Sequence, residues 1–164
     1  MYITLEEYSQ LYDAIEEKAF NRLCFDACRV MDIYTTGIDN VKKLKRYFPS
    51  DSDAAESVRH CAAKLVNLLY QIQEAEAASA VGRGYTETAQ GLQRKIISRV
   101  ESGNEAISYS ETKTADSTID AAVADKTARD KLLADTIWEY LAGVEDANGI
   151  NLLYMGRYPR RCLC

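Results

Sequence analysis

Apolar residues recur at helical spacing through three long stretches of the chain, separated by polar, glycine-punctuated sequence. Thr4-Leu5-Glu6-Glu7 has the form of a capping box and predicts a short first helix over about Leu5 to Leu11. Asp13 and Glu16-Glu17 mark a second start, after which Ile15, Phe20, Leu23, Ala27, Val30 and Tyr34 fall on one face, predicting a long amphipathic helix that ends near Gly37. Ser50-Asp51-Ser52-Asp53 supplies capping residues for a third helix with the stripe Val58, Cys61, Ala62, Leu65, Leu68, Leu69 and Ile72. That helix is expected to run on through Glu74 to Ala78, where propensity is high but few apolar groups remain, so its outer end is expected to project. A last helix is predicted from about Ser117 or Thr118, carrying Ile119, Ala122, Val123, Leu132, Leu133, Ile137, Tyr140 and Leu141, with Gly143 placed to cap it.

Between the third and last helices the composition shifts to Ser, Thr, Gly and Asn. Two strand-like runs, Arg94 to Val100 and Ala106 to Ser110, flank Glu101-Ser102-Gly103-Asn104-Glu105, predicting a β-hairpin that turns at Ser102-Gly103-Asn104. An isolated hairpin is marginal in water, so this one needs neighbours, either the helices or other copies of itself. The predicted fold is therefore mostly α: a bundle of about four helices, a hairpin insertion at about 94–111 before the last helix, and an extended C-terminal tail. By organisation, 1–148 form the helical domain and 149–164 the tail.

The tail is distinctive. After the turn signal Asp146-Ala147-Asn148-Gly149 come four large apolar residues in a row, Leu152 to Met155, followed by basic residues and no acid. Such a run either folds back on its own bundle or serves another protein, for instance as an added edge strand.

Length and composition narrow the classes. With 164 residues the chain fits one ordinary domain, and 47% hydrophobic with 27% charged residues is a globular balance. A net charge of −5 argues against coating nucleic acid by overall charge and leaves only local basic patches. One such patch is Lys42, Lys43, Lys45 and Arg46, which reads either as a solvated face or as a phosphate contact. No apolar run approaches the roughly 20 residues of a membrane span, and Glu6-Glu7 stand where a signal peptide needs base, so a cytosol-like compartment is expected. Five cysteines without Cys-x-x-Cys pairs read as reduced thiols: Cys24, Cys28 and Cys61 as small core hydrophobes, Cys162 and Cys164 as tail residues of open role.

Catalysis requires a constellation of nucleophile, base and orienting group, or a set of metal ligands. The single histidine, His60, lies on a helix without ligand-spaced partners, and the paired acids sit at helix starts or on polar faces. Gly82-Arg83-Gly84 lacks the spacing of a nucleotide loop. No catalytic, cofactor-binding or metal-binding residue is therefore assigned, and the chain is not expected to be an enzyme. What it offers is interaction surface: the projecting helix, the hairpin with Arg94, Lys95 and Arg99, and the tail, with eleven tyrosines suited to half-buried contacts.

Three places also resemble the head-tail connector (adaptor, or head completion) proteins of tailed bacteriophages. Tyr2-Ile3-Thr4-Leu5-Glu6-Glu7-Tyr8, leading into Ile15 to Leu23 and Asp32-Ile33-Tyr34-Thr35-Thr36, is similar to that family's opening helices. Glu101 to Tyr109 resembles its Ser/Gly-rich segment, and Tyr140-Leu141-Ala142-Gly143 followed by Leu152-Leu153-Tyr154-Met155-Gly156 resembles its closing helix and Leu-Leu-Tyr-Arg-Gly tail. Met155 stands where the family often has arginine, and Arg157 to Cys164 extends past the usual stop.

The resemblance implies a structural virion protein of the phage neck. It would be assembled in the host bacterial cytoplasm as a ring, a dodecamer, under the portal protein, without cofactor or membrane contact. Its other face would receive a tail terminator, stopper or tail tube protein, and genomic dsDNA would pass through its channel without sequence readout. The portal-docking arm is then expected at Ile150, Leu152, Leu153, Tyr154, Met155 and Arg157, and the DNA-facing residues at Arg94, Lys95 and Arg99. On this reading, deleting Gly149 to Cys164 leaves the helical fold intact and abolishes portal attachment. The alternative is a small helical DNA-binding or regulatory protein using Lys42, Lys43, Lys45 and Arg46.

Overall fold

A computed structural model describes the backbone of residues 1–82, 85–88, 91–101, 106–111 and 118–159, and the side chains of 1–77 and 118–159. Among these residues lie six helices: α1 (Leu5–Leu11), α2 (Glu17–Thr35), α3 (Lys43–Arg46), α4 (Ser52–Gly82), α5 (Thr118–Ala124) and α6 (Lys126–Leu141). The protein is mostly α. Backbone in the connecting region is extended over β1 (Tyr85–Thr88), β2 (Gly91–Glu101) and β3 (Ala106–Glu111), paired antiparallel in that order. The expected hairpin turn at Ser102-Gly103-Asn104 and the side chains of Arg94, Lys95 and Arg99 lie outside the described residues, as do Cys162 and Cys164.

The helix starts follow their caps. The Thr4 hydroxyl accepts from the Glu7 amide at 3.2 Å while the Glu7 carboxylate accepts from the Thr4 amide at 2.8 Å, so the box closes reciprocally. The same contacts hold the Glu7 carboxyl below its ordinary range, led by the Thr4 amide. Thr4→Ala should cost about 1 kcal/mol in chemical denaturation. At α4 the Asp51 carboxylate accepts from the Ala54 amide at 3.0 Å. The expected single last helix is instead two, because Asp125 interrupts it: its carboxylate takes the Thr127 amide at 2.9 Å and opens α6.

The chain forms two compact units, Met1–Leu69 with Leu133–Cys164, and Tyr70–Leu132. In the first, the part of α4 up to Leu69 supplies much of the buried apolar surface. Val58, Cys61, Ala62 and Leu65 are buried as the stripe predicts, but so are Ala63 and Val66, so this part of the helix is covered on most of its circumference. The buried face of α2 runs Phe20, Leu23, Cys24, Ala27, Met31 and Thr35 rather than turning through Val30 and Tyr34, which are half-buried. Burying Thr35 is cheap because its hydroxyl donates to the Met31 carbonyl at 2.8 Å. Tyr8 fills the space beside Phe20, ring centroids 5.6 Å apart. In the second unit Ile72 and Ala122 are buried, and Arg129 donates through Nε to the Ala122 carbonyl at 3.2 Å and through its guanidinium to Glu76.

Candidate functional site

The tail folds back, and its path is set by local chemistry. Asp146 is the pivot: one carboxylate oxygen accepts from the amides of Asn148 (2.8 Å) and Ile150 (3.0 Å). Gly149 takes φ +74°, a conformation that strains any residue with a Cβ. The turn brings Asn151 beside Glu145, and the Leu152 amide reaches the Val144 carbonyl at 2.9 Å. This places Leu152, fully buried, and Leu153, nearly so, in the core of the first unit.

Lys43 then fixes the returned segment. Its side chain has no exposed surface, and its ammonium donates to the backbone carbonyls of Asn151 (3.4 Å), Leu152 (2.8 Å) and Tyr154. Three acceptors match the three protons of an ammonium. Burial lowers the Lys43 pKa, and the carboxylates of Asp146 and Asp39 oppose that shift.

Beyond the latch, the Met155 carbonyl accepts from the Ile38 amide at 3.0 Å, and Tyr158 completes the seam. The Tyr158 amide donates to Asp39 at 2.7 Å, its hydroxyl donates to Asp146 at 2.6 Å, and its ring stacks on Tyr47 with centroids 4.8 Å apart. The amide of Tyr158 is the leading cause that holds the Asp39 carboxyl low, and burial leads in pushing the Tyr158 hydroxyl up to about 12. The seam is tight at Gly37, where an added Cβ would sit 2.6 Å from the Gly156 carbonyl oxygen. Asp39 contributes stability above the ordinary carboxylate range, and that contribution is lost as pH falls through its depressed value. Acid titration should therefore loosen the Tyr47–Tyr158 stack, read by near-ultraviolet circular dichroism, and Asp39→Asn should remove that step.

The residues expected to form a docking arm thus divide. Leu152 and Leu153 are core; Ile150 is half-buried; Tyr154, Met155 and Arg157 are exposed. Ile38, the most exposed of the large apolar side chains among the described residues at 75%, joins Tyr154 and Met155 at the same seam. The basic patch divides too. Lys43 is spent on the tail, Lys45 pairs with Asp32 at 3.0 Å, and Lys42 and Arg46 remain exposed. Sequence reading missed the latch itself: Lys43, Asp39 and Asp146 belong to segments more than 100 residues apart in the chain, and no local pattern joins them.

A second surface lies along α2. Phe25 and Ile33 are exposed two helical turns apart on either side of Arg29, and they border a groove of about 860 Å³ that Cys28, Lys42 and Lys45 also line. On its wall the Tyr2 hydroxyl donates to the buried Asp32 carboxylate. His60 stands 3.6 Å from Glu56 on the exposed side of α4. Among the described residues no three His, Cys, Asp or Glu side chains gather as metal ligands, and no helix is long and apolar enough to cross a membrane. Comparison of the chain with protein-family models, curated proteins and solved structures finds no match.

Proposed function

We propose that this chain is a structural head-tail connector subunit, forming a ring under a phage portal and continuing the DNA channel between capsid and tail. The observation that carries the reading is the exposed apolar seam of Ile38, Tyr154 and Met155, held on a tail whose backbone Lys43 and Asp39 fix. A rigid apolar patch loses little conformational entropy when a partner covers it, which suits a permanent structural joint. Docking is then carried by Tyr154, Met155 and Arg157 together with Ile38, while Leu152 and Leu153 support them from beneath.

In the same proposal a hairpin at about 94–111 turns Arg94, Lys95 and Arg99 toward passing dsDNA, contacting phosphates without reading bases. The ring is a dodecamer in the virion neck, with a tail terminator, stopper or tail tube protein below it, and works without catalysis or cofactor. The DNA-binding alternative is weakened because two of its four cations, Lys43 and Lys45, are already engaged within the chain.

The test is the purified protein mixed with portal and viewed by negative stain. Rings on portals are expected, and Ile38→Asp with Met155→Asp should abolish decoration while leaving the thermal midpoint within a few degrees of the parent, since both side chains are solvent-exposed. A strongly salt-dependent gel shift on free DNA, with no ring on portal, would favour the alternative.

A further inference from the structure

The two cysteines on α2 have a setting that the connector reading does not use. Cys24 and Cys28 lie one helical turn apart with their sulfurs at 3.9 Å, Cys24 fully buried and Cys28 half-buried at the groove wall. The Cys24 proton has two acceptors at 3.9 Å, the Ile3 carbonyl and the Cys28 sulfur. Cys28 therefore has a neighbouring thiol to stabilise a sulfur anion, and open space in front of it. Cys24 has no exposed surface.

The groove adds a bias of charge. Arg29, Lys42 and Lys45 line it, and Asp32, the acid among its lining residues, is occupied by the Tyr2 hydroxyl and by Lys45. Apolar surface from Phe25 and Ile33 completes the wall. A small organic molecule carrying carboxylates fits that lining, and a thiolate at its edge attacks a disulfide rather than a carbonyl, since no base or oxyanion donor set accompanies it among the described residues.

We propose that Cys28 is a site of S-thiolation by small anionic disulfides. The Cys28 thiolate attacks one sulfur of the disulfide R–S–S–R, the Cys28–S–S–R bond forms as the S–S bond breaks, and R–S⁻ leaves with the electron pair. The incoming disulfide is the oxidant. Cys24 does not resolve the adduct readily, because cysteines one helical turn apart hold their Cβ atoms about 5–6 Å apart, beyond the roughly 3.5–4.5 Å of an unstrained disulfide.

Several charged or titratable groups face Cys28: Cys24 and Asp32 on its own helix, the Met1 amino group and Tyr2 from the N-terminal segment, and Lys45 from α3. Their balance holds the thiol below its ordinary range, with the contact from Cys24 as the leading cause, burial opposing, and Asp32 a minor opposing influence. The same contact and burial push the Cys24 thiol up, and burial pushes Cys61 up to about 12. A lowered thiol carries more thiolate at neutral pH but is a weaker nucleophile per thiolate, so the gain in rate is smaller than the gain in thiolate.

The 164-residue chain is treated with oxidised glutathione across pH 6 to about 9, and adducts are located by peptide mapping with fragmentation, which separates Cys28 from Cys24 and from the tail cysteines. Cys28 should be modified several-fold faster at pH 7 than in the urea-unfolded chain, with its rate rising at lower pH than that of the unfolded thiol, while Cys24 and Cys61 stay unmodified. Cys24→Ala should move the profile to higher pH, and Cys24→Ser, which keeps a donor, should restore it. Arg29→Glu with Lys42→Glu should slow oxidised glutathione several-fold more than neutral hydroxyethyl disulfide. The proposal fails if folded Cys28 reacts no faster than unfolded, if Cys24 takes the adduct, or if reversing the two charges slows both disulfides equally. None of these outcomes bears on portal binding.

Discussion

Lys43→Ala is expected to destabilise the protein by about 3–5 kcal/mol, measured by urea denaturation at pH 7, because it leaves the ammonium's acceptors buried without donors. Each charged hydrogen bond of this kind is worth roughly 1.5–3 kcal/mol, and the desolvation of the ammonium takes part of the sum back. Lys43→Met separates the contributions: it keeps most of the stem's packing and loses the donors, so it should recover only the part of the loss that comes from the cavity. A lysine that merely decorated a basic face would tolerate either change within about 0.5 kcal/mol. The sign of the pH dependence is also fixed. Because the folded-state pKa is below the unfolded one, the unfolded chain binds more protons between the two values, and Lys43's contribution grows more favourable as pH rises through that window.

Leu152→Ala is the second large effect, about 2–5 kcal/mol for a fully buried leucine, out of a total stability on the order of 5–15 kcal/mol. Met155→Ala, a truncation of similar size three residues on, should cost less than about 0.5 kcal/mol because the side chain is exposed. The contrast decides between a removable arm and a structural return. On the arm reading, deleting 149–164 leaves the helices untouched. Here the deletion removes Leu152 from the core and takes all three acceptors from Lys43, so the truncated chain should lose cooperative unfolding of its first unit rather than portal attachment alone.

The helices were legible because their signals are local. The Thr4–Glu7 box, Asp51 before α4 and Gly143 after α6 act within a turn of the residues they cap, and a reader sees cap and helix together. Asp125 could have been read the same way, as a capping residue inside an apparently continuous helix. What was not legible is long-range satisfaction of polar groups. Lys43 stands among Lys42, Lys45 and Arg46, where pattern alone predicts solvent, and only the tertiary fold brings three carbonyls to it. Asp32 is buried for the same reason, its partner Tyr2 lying 30 residues away in the chain, whereas Thr35 is satisfied within α2 itself by the Met31 carbonyl. The apolar run Leu152 to Met155 was read as one feature, yet the chain divides it, two residues in and two out, at the point where Lys43 takes the Tyr154 carbonyl.

The latch also has a consequence for how the protein is made. Lys43 waits for acceptors 108 to 111 residues further along the chain. While a ribosome is still adding those residues, α2, α3 and much of α4 are already out, with an apolar socket where Leu152 belongs and a lysine with nothing to hold. Closing so long a loop carries an entropic cost before any contact returns it, so the first unit is expected to complete its fold late and slowly. Until then its unfilled socket is exposed to other nascent copies, and a chaperone that shields it would raise the yield of folded chain more than one acting after release.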